Sequence, residues 1–151
     1  MNPSDFISLA VRLSNSSQEA DLRSSVSRAY YGAFHLARQF LADCGLRFAQ
    51  KDLYAAEVHK KVRYCLSEAA NSDAVVVAGR LRFLRDQRNE ADYDLDSNKF
   101  RTAGNSMAMI RVTQEIVDAL QRCRAEPAFS EIRKQIRAYA RDVLRLPLDA
   151  I

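Results

Sequence analysis

Leu22, Val26, Ala29, Tyr30, Ala33, Ala37, Phe40, Leu41 and Cys44 recur at steps of three and four residues, with no proline among them. No other feature constrains the chain as tightly. Such steps place side chains on one face of an α-helix, so the run predicts a long helix over 18–44 with one side buried. Gly45 follows as its C-terminal cap. The pattern repeats three times. Tyr54, Val58, Val62, Cys65 and Leu66 predict a helix over 53–70. Val77, Leu81, Leu84 and Ala91 predict one over 74–93. Phe100, Ala103, Met107, Ile110, Ile116, Val117, Leu120 and Cys123 predict a fourth over 99–124, in which Gly104 can mark a close helix approach.

Shorter helices are expected at both ends. One spans 3–16, with Pro3 in its first turn, Asn2 or Ser4 as cap, and Phe6, Leu9, Ala10 and Leu13 inward. The other spans 128–146, with Ile132, Ile136, Tyr139, Ala140, Val143 and Leu144 inward and Pro147 as its stop. Four glycines and three prolines are too few for a sheet protein with many turns. The expectation is an all-α chain, one domain over 1–151. Its four long helices form an antiparallel up-and-down bundle, with short N- and C-terminal helices added.

Charge narrows the partners. The formal net charge is +4, which permits nucleic-acid contact without requiring it. The cations gather in 80–88 and again on the last helix, where Arg133, Arg137, Arg141 and Arg145 recur every four residues beside Lys134. That row serves either as a solvated face or as a surface for an acidic polymer or partner. Cys44, Cys65 and Cys123 are far apart in sequence and lie among apolar helical residues, so they are expected as reduced, packed thiols. No metal site and no cofactor are expected. With no secretory signal pattern and no membrane-length apolar run, a cytoplasmic protein without membrane contact is expected.

Arg80, Arg82, Arg85 and Arg88 fall within little more than two turns. Spacing puts Arg85, Arg88 and Asp92 near one another on one face. Guanidinium forks match phosphate oxygens, and Asp92 can hold Arg88 from four residues away. Intrahelical ion pairs on a solvated face account for the same spacing. Arg88 also falls in the apolar stripe of its own helix, where a guanidinium is costly unless it is paired or meets a partner. On the first long helix Ser27, Tyr31, His35 and Arg38 form a polar stripe, either a site or a set of hydrogen bonds to a neighbouring helix.

Two segments carry a resemblance. Ser27-Arg28-Ala29-Tyr30-Tyr31-Gly32-Ala33-Phe34-His35 resembles the N-terminal signature of HEPN domains. Arg88-Asn89-Glu90-Ala91-Asp92-Tyr93-Asp94 resembles the arginine motif of that family, and His59 fits one of its branches. The resemblance covers about residues 5–122 and leaves the basic helix 128–146 outside. It implies a helical bundle that forms a homodimer, with both arginine motifs at a shared cleft. Many members are metal-independent endoribonucleases in toxin–antitoxin, abortive-infection and defence systems. Many are encoded beside a small nucleotidyltransferase, and others bind nucleotides or proteins without cutting.

Metal-free RNA cleavage needs a base, an acid and a cation for the growing phosphate charge. By resemblance Arg88 supplies the cation and Asn89 orients it or binds phosphate. The family's ribonuclease motif then carries a histidine, where this chain has Tyr93, a side chain whose ordinary pKa of about 10 makes it a poor base. In the branch this chain resembles, Ala-Asp-Tyr is a usual form. His35 and His59 are the remaining imidazoles that could take part. The leading expectation is a dimeric module binding RNA or nucleotide phosphate in a toxin–antitoxin or defence-type pair. Arg82, Arg85, Arg88 and Asn89 would bind, Asp92, Tyr31 and Ser27 would support, and Tyr93 would stack on a base or donate its hydrogen. The alternatives are an active endoribonuclease using His35, His59 or Tyr93, and a non-catalytic dimeric scaffold for a nucleotidyltransferase antitoxin.

Overall fold

The computed structural model describes residues 1–150, with Tyr54 described by its backbone alone. The expected inward placement of the Tyr54 side chain lies outside the described residues. The described residues form six α-helices: α1 (Pro3–Ser14), α2 (Glu19–Asp43), α3 (Ala56–Ser67), α4 (Ser72–Tyr93), α5 (Ala103–Arg124) and α6 (Ala128–Asp142). Single 3-10 turns precede α3 (Gln50–Tyr54) and α5 (Asn98–Phe100). The described residues hold no strand, only an isolated antiparallel bridge between Leu46 and Leu148. None of their helices is long and apolar enough to cross a membrane.

Three helices come out long as expected, at 25, 22 and 22 residues for α2, α4 and α5. The helix expected over 53–70 does not. Ala55 is extended and offers no capping side chain, so the 3-10 turn stops there and α3 runs for 12 residues. The start of α5 differs too. Ser97 accepts from the Lys99 N–H and closes a separate turn, which leaves buried Phe100 outside the helix. At the other end, α6 stops at Asp142, so the stripe does not reach Val143, which is 61% exposed.

On α5 Ile116, Leu120 and Cys123 are buried as expected, but in the first half the buried stripe is turned away from the expected one. Met107 is 43% exposed, while Ser106, Met109 and Thr113 are buried. The hydroxyls make this possible by bonding to carbonyls, Ser106 to Leu22 at 3.0 Å and Thr113 to Met109 at 3.0 Å. A buried polar group costs little once it is hydrogen-bonded. The close helix approach falls at Gly32, not Gly104. A Cβ at Gly32 would meet Ile7 Cγ1 at 2.6 Å, whereas one at Gly104 would meet only Thr102 Oγ1 at 4.0 Å.

The chain divides into two compact units, Met1–Leu36 with Arg80–Val117, and Ala37–Gly79 with Asp118–Ile151. In the first, α1 starts with a capping box between Asn2 and Asp5 and meets α2 through the Ser25 hydroxyl, which donates to Ala10 O at 2.7 Å. Ser27 bonds to Asp92 and Tyr31 to Arg88, so α2 and α4 run antiparallel there. Arg80 with Glu115 and Asn105 with Gln87 set α4 and α5 antiparallel as well. Buried Arg23 fixes the end of α4. It donates to the carbonyls of Ala91, Asp94, Leu95 and Ser97, bonds to Glu19, and lies 5.0 Å from the Phe100 ring centre. The Ala91 carbonyl belongs to the last turn, whose carbonyls a helix end leaves without partners, and the other three lie in the segment that follows.

In the second unit, Arg122 pairs with Asp73, Arg124 with Asp43, and Phe40 meets Phe129 edge-on. The row of cations on α6 is not uniform. Arg137 turns in to the carbonyls of Cys44 and Asp149, and Arg141 pairs with Asp142. All three thiols are free and buried. Burial pushes Cys44 and Cys65 up to about 12 and Cys123 up to about 11.

Arg23→Ala leaves four carbonyls short of a donor and is expected to destabilise the protein by about 3 kcal/mol in urea unfolding. A loss below about 0.5 kcal/mol would refute the capping role. The raised thiol pKa values predict slow reaction with a disulfide reagent at pH 8 and fast reaction in denaturant. The sign follows from the unfolded thiol ionising first, so stability falls as pH rises above about 8.5. Equal rates in both states would overturn this.

Candidate functional site

The stripe Val77, Leu81, Leu84, Arg88, Ala91 places four apolar side chains in the core of α4 and one guanidinium among them. The Arg88 side chain is 18% exposed. Its charge is held from several sides. Nη2 donates to Tyr31 Oη at 2.5 Å, Nη1 donates to Asn89 Oδ1 at 2.7 Å, and Nε lies 3.1 Å from Asp92 Oδ2. The last contact is an ion pair without hydrogen-bond alignment, which leaves Nε buried and without a hydrogen bond. Asp92 also accepts from Ser27 at 3.3 Å. Three rings stand around the guanidinium carbon, Tyr31 at 5.2 Å and Tyr30 and Tyr93 at 5.9 Å each.

Arginine can only donate, and this fixes the polarity of its neighbours. Asn89 turns its carbonyl oxygen to Arg88, so its NH₂ faces elsewhere. Tyr31 accepts from Arg88, so its own O–H is left to donate. The fork makes two hydrogen bonds with five N–H groups. What this group has left to offer is therefore almost all donors: further N–H of Arg88, the Tyr31 O–H and the Asn89 NH₂. The one carboxylate sits on the Nε side. A cluster of donors around a fixed cation suits an oxyanion.

Several of the residues expected at a site are thus together: Arg88, Asn89, Asp92, Tyr31 and Ser27. Arg85 is half-buried and Arg82 exposed, and among the described residues neither makes an ion pair, whereas Arg80 is tied to Glu115 at 2.8 Å. Tyr93 is 75% exposed, with its ring near Arg88. His35 lies on α2 a turn beyond Tyr31, stacked on Phe6 with ring centres 5.6 Å apart and tilted against Phe34. His59 belongs to the other unit, on α3. Among the described residues no group of three or more His, Cys, Asp or Glu is placed to hold a metal.

Three residues of this region escape a reading of periodicity. Arg23 carries the end of α4 on which Asp92 and Tyr93 stand; its only local sign is Glu19, four residues back. Arg28 lies 5.9 Å from the ring centres of both Phe6 and Tyr31. Tyr30 belongs to the apolar stripe by spacing, yet its ring also faces Arg88. Just past the arginine, Glu90 accepts from Lys99 and Ser97 at 2.7 Å each. These bonds, Lys99 first, hold its carboxyl below the usual range and tie the end of α4 to the following turn.

A double-mutant cycle of Arg88→Ala and Tyr31→Phe is expected to give a coupling of about 1–2 kcal/mol in unfolding stability. A coupling indistinguishable from zero would mean that the short Arg88–Tyr31 bond contributes nothing.

The chain matches no protein-family model, no curated protein and no solved structure.

Proposed function

We propose that this chain is a HEPN-type module that acts as a homodimer and binds RNA or nucleotide phosphate. The observation that carries the reading is Arg88, held in a core stripe by Tyr31, Asn89 and Asp92 so that its neighbours present donors. A purely structural ion pair would need Asp92 alone. A guanidinium that two neutral acceptors hold beside its Asp92 pair keeps N–H groups for another anion. Arg85 and Arg82, without ion pairs, add positive field along the same helix. Exposed Tyr93 offers a ring on which a base can stack beside a bound phosphate.

In this reading the helices form the antiparallel up-and-down bundle of that family, and the antiparallel pairs α2–α4 and α4–α5 in the first unit support it. The resemblance alone supports a toxin–antitoxin or defence-type pair with a small nucleotidyltransferase. The second reading, a metal-independent endoribonuclease, has one structural point in its favour. The Tyr31 phenol is fixed by Arg88 at 2.5 Å, which sets an O–H beside the cation.

The test uses the purified protein and a labelled single-stranded RNA in EDTA. Anisotropy is expected to show binding that weakens with salt, and Arg88→Ala is expected to lower affinity about tenfold and flatten the salt slope. A gel of the same mixtures reports cutting. Metal-free cleavage that disappears in Arg88→Ala would establish the nuclease reading. Absent binding, or binding untouched in a folded Arg88→Ala protein, would reject the phosphate site.

A further inference from the structure

Arg28 forms no ion pair with a carboxylate among the described residues. It is half-buried on α2, and its guanidinium carbon lies 5.9 Å from the Phe6 ring centre and 5.9 Å from that of Tyr31. Arg88 approaches the same Tyr31 ring at 5.2 Å. One tyrosine thus has two guanidinium groups against it, and they can be no farther apart than those two distances allow. Asp92 offsets the charge of Arg88. Nothing comparable faces Arg28.

Contact with aromatic faces attracts a cation but does not replace a counter-ion. Two cations held near each other also repel, and partial burial strengthens that repulsion. Such a pair is stable in the presence of anions. The donors around Arg88 already suffice for the free oxygens of one phosphate. Phe6, from α1, holds Arg28 against Tyr31, with its donors left for a second anion beside the first.

We infer that Arg28 and Arg88, both in contact with Tyr31, grip two neighbouring phosphates, one each. This rests on the phosphate-binding reading of Arg88 and deepens it, because the ligand must then carry two linked phosphates. The shared chemistry occurs in two sources, consecutive phosphates along one nucleic-acid strand and the diphosphate of a nucleotide.

The test measures binding by calorimetry, in EDTA, of uridine 5′-monophosphate, uridine 5′-diphosphate and the dinucleotide pUpU. Wild type is expected to bind at least one of the two-phosphate ligands about tenfold more tightly than the monophosphate. Preference for pUpU identifies a strand, and preference for the diphosphate identifies a nucleotide. Arg28→Ala is expected to erase the preference and leave monophosphate binding within about twofold, while Arg88→Ala weakens all three ligands. Arg28→Gln keeps the side-chain stem without the charge and repeats the test if the alanine variant does not fold. Arg28→Lys is expected to restore part of the preference. No preference in wild type, or an Arg28→Ala effect equal on all three ligands or absent, overturns the inference and leaves the Arg88 site standing. Binding of none of the three ligands, or binding indifferent to Arg88→Ala, overturns the phosphate reading itself.

Discussion

A guanidinium cannot lose its proton and cannot accept a hydrogen bond. Once Arg88 occupies a stripe otherwise filled by Val77, Leu81, Leu84 and Ala91, everything near it must offer acceptors or π-faces. Tyr31, Asn89 and Asp92 do so, with Tyr30 and Tyr93 alongside. The register between α2 and α4 depends on this, because Tyr31 meets Arg88 only if Ser27 meets Asp92 one turn away. A slide by one residue would take both hydroxyls off that face and leave the charge without partners.

The arrangement also needs a firm end to α4. Asp92 and Tyr93 occupy its last turn, where backbone bonds run out and helices fray. Arg23 bonds to one carbonyl of that turn and to three in the segment after it, and Glu90 with Lys99 and Ser97 ties the two together again. The first unit therefore uses two arginines in opposite ways. Arg23 is spent on backbone carbonyls and Glu19. Arg88 meets mostly side chains and retains donors.

Much of this was legible in the sequence, and the boundary has physical causes. Steps of three and four gave α2, α4 and most of α5, because long amphipathic helices are encoded by local spacing. The placement of Arg88 in an apolar stripe was itself visible, as was Asp92 four residues on. The stripe Ser27, Tyr31, His35 did not reveal its partner, since which helix faces it is a tertiary fact. Ser106 and Thr113 were missed because a hydroxyl that bonds to a carbonyl can be buried among apolar groups, and hydropathy does not count that bond. The shortness of α3 depends on an extended Ala55, which no strong breaker announces. Arg23 and Arg28 look like ordinary surface cations until the ring or carbonyl they meet is known.

The two tyrosines nearest the Arg88 guanidinium by hydroxyl and by exposed ring differ in character. Tyr93 stands where the resemblance would place a histidine, yet it is 75% exposed and contributes a ring near Arg88. Its strength is area for stacking. Tyr31 has the reverse character, with a hydroxyl fixed at 2.5 Å and a ring that two guanidinium groups approach. A hydroxyl that already accepts a hydrogen bond on one side has its O–H left to donate elsewhere. Tyr31 meets that condition through Arg88. The phenol whose O–H is left to donate beside Arg88 therefore lies on α2, 57 residues from the arginine that orients it.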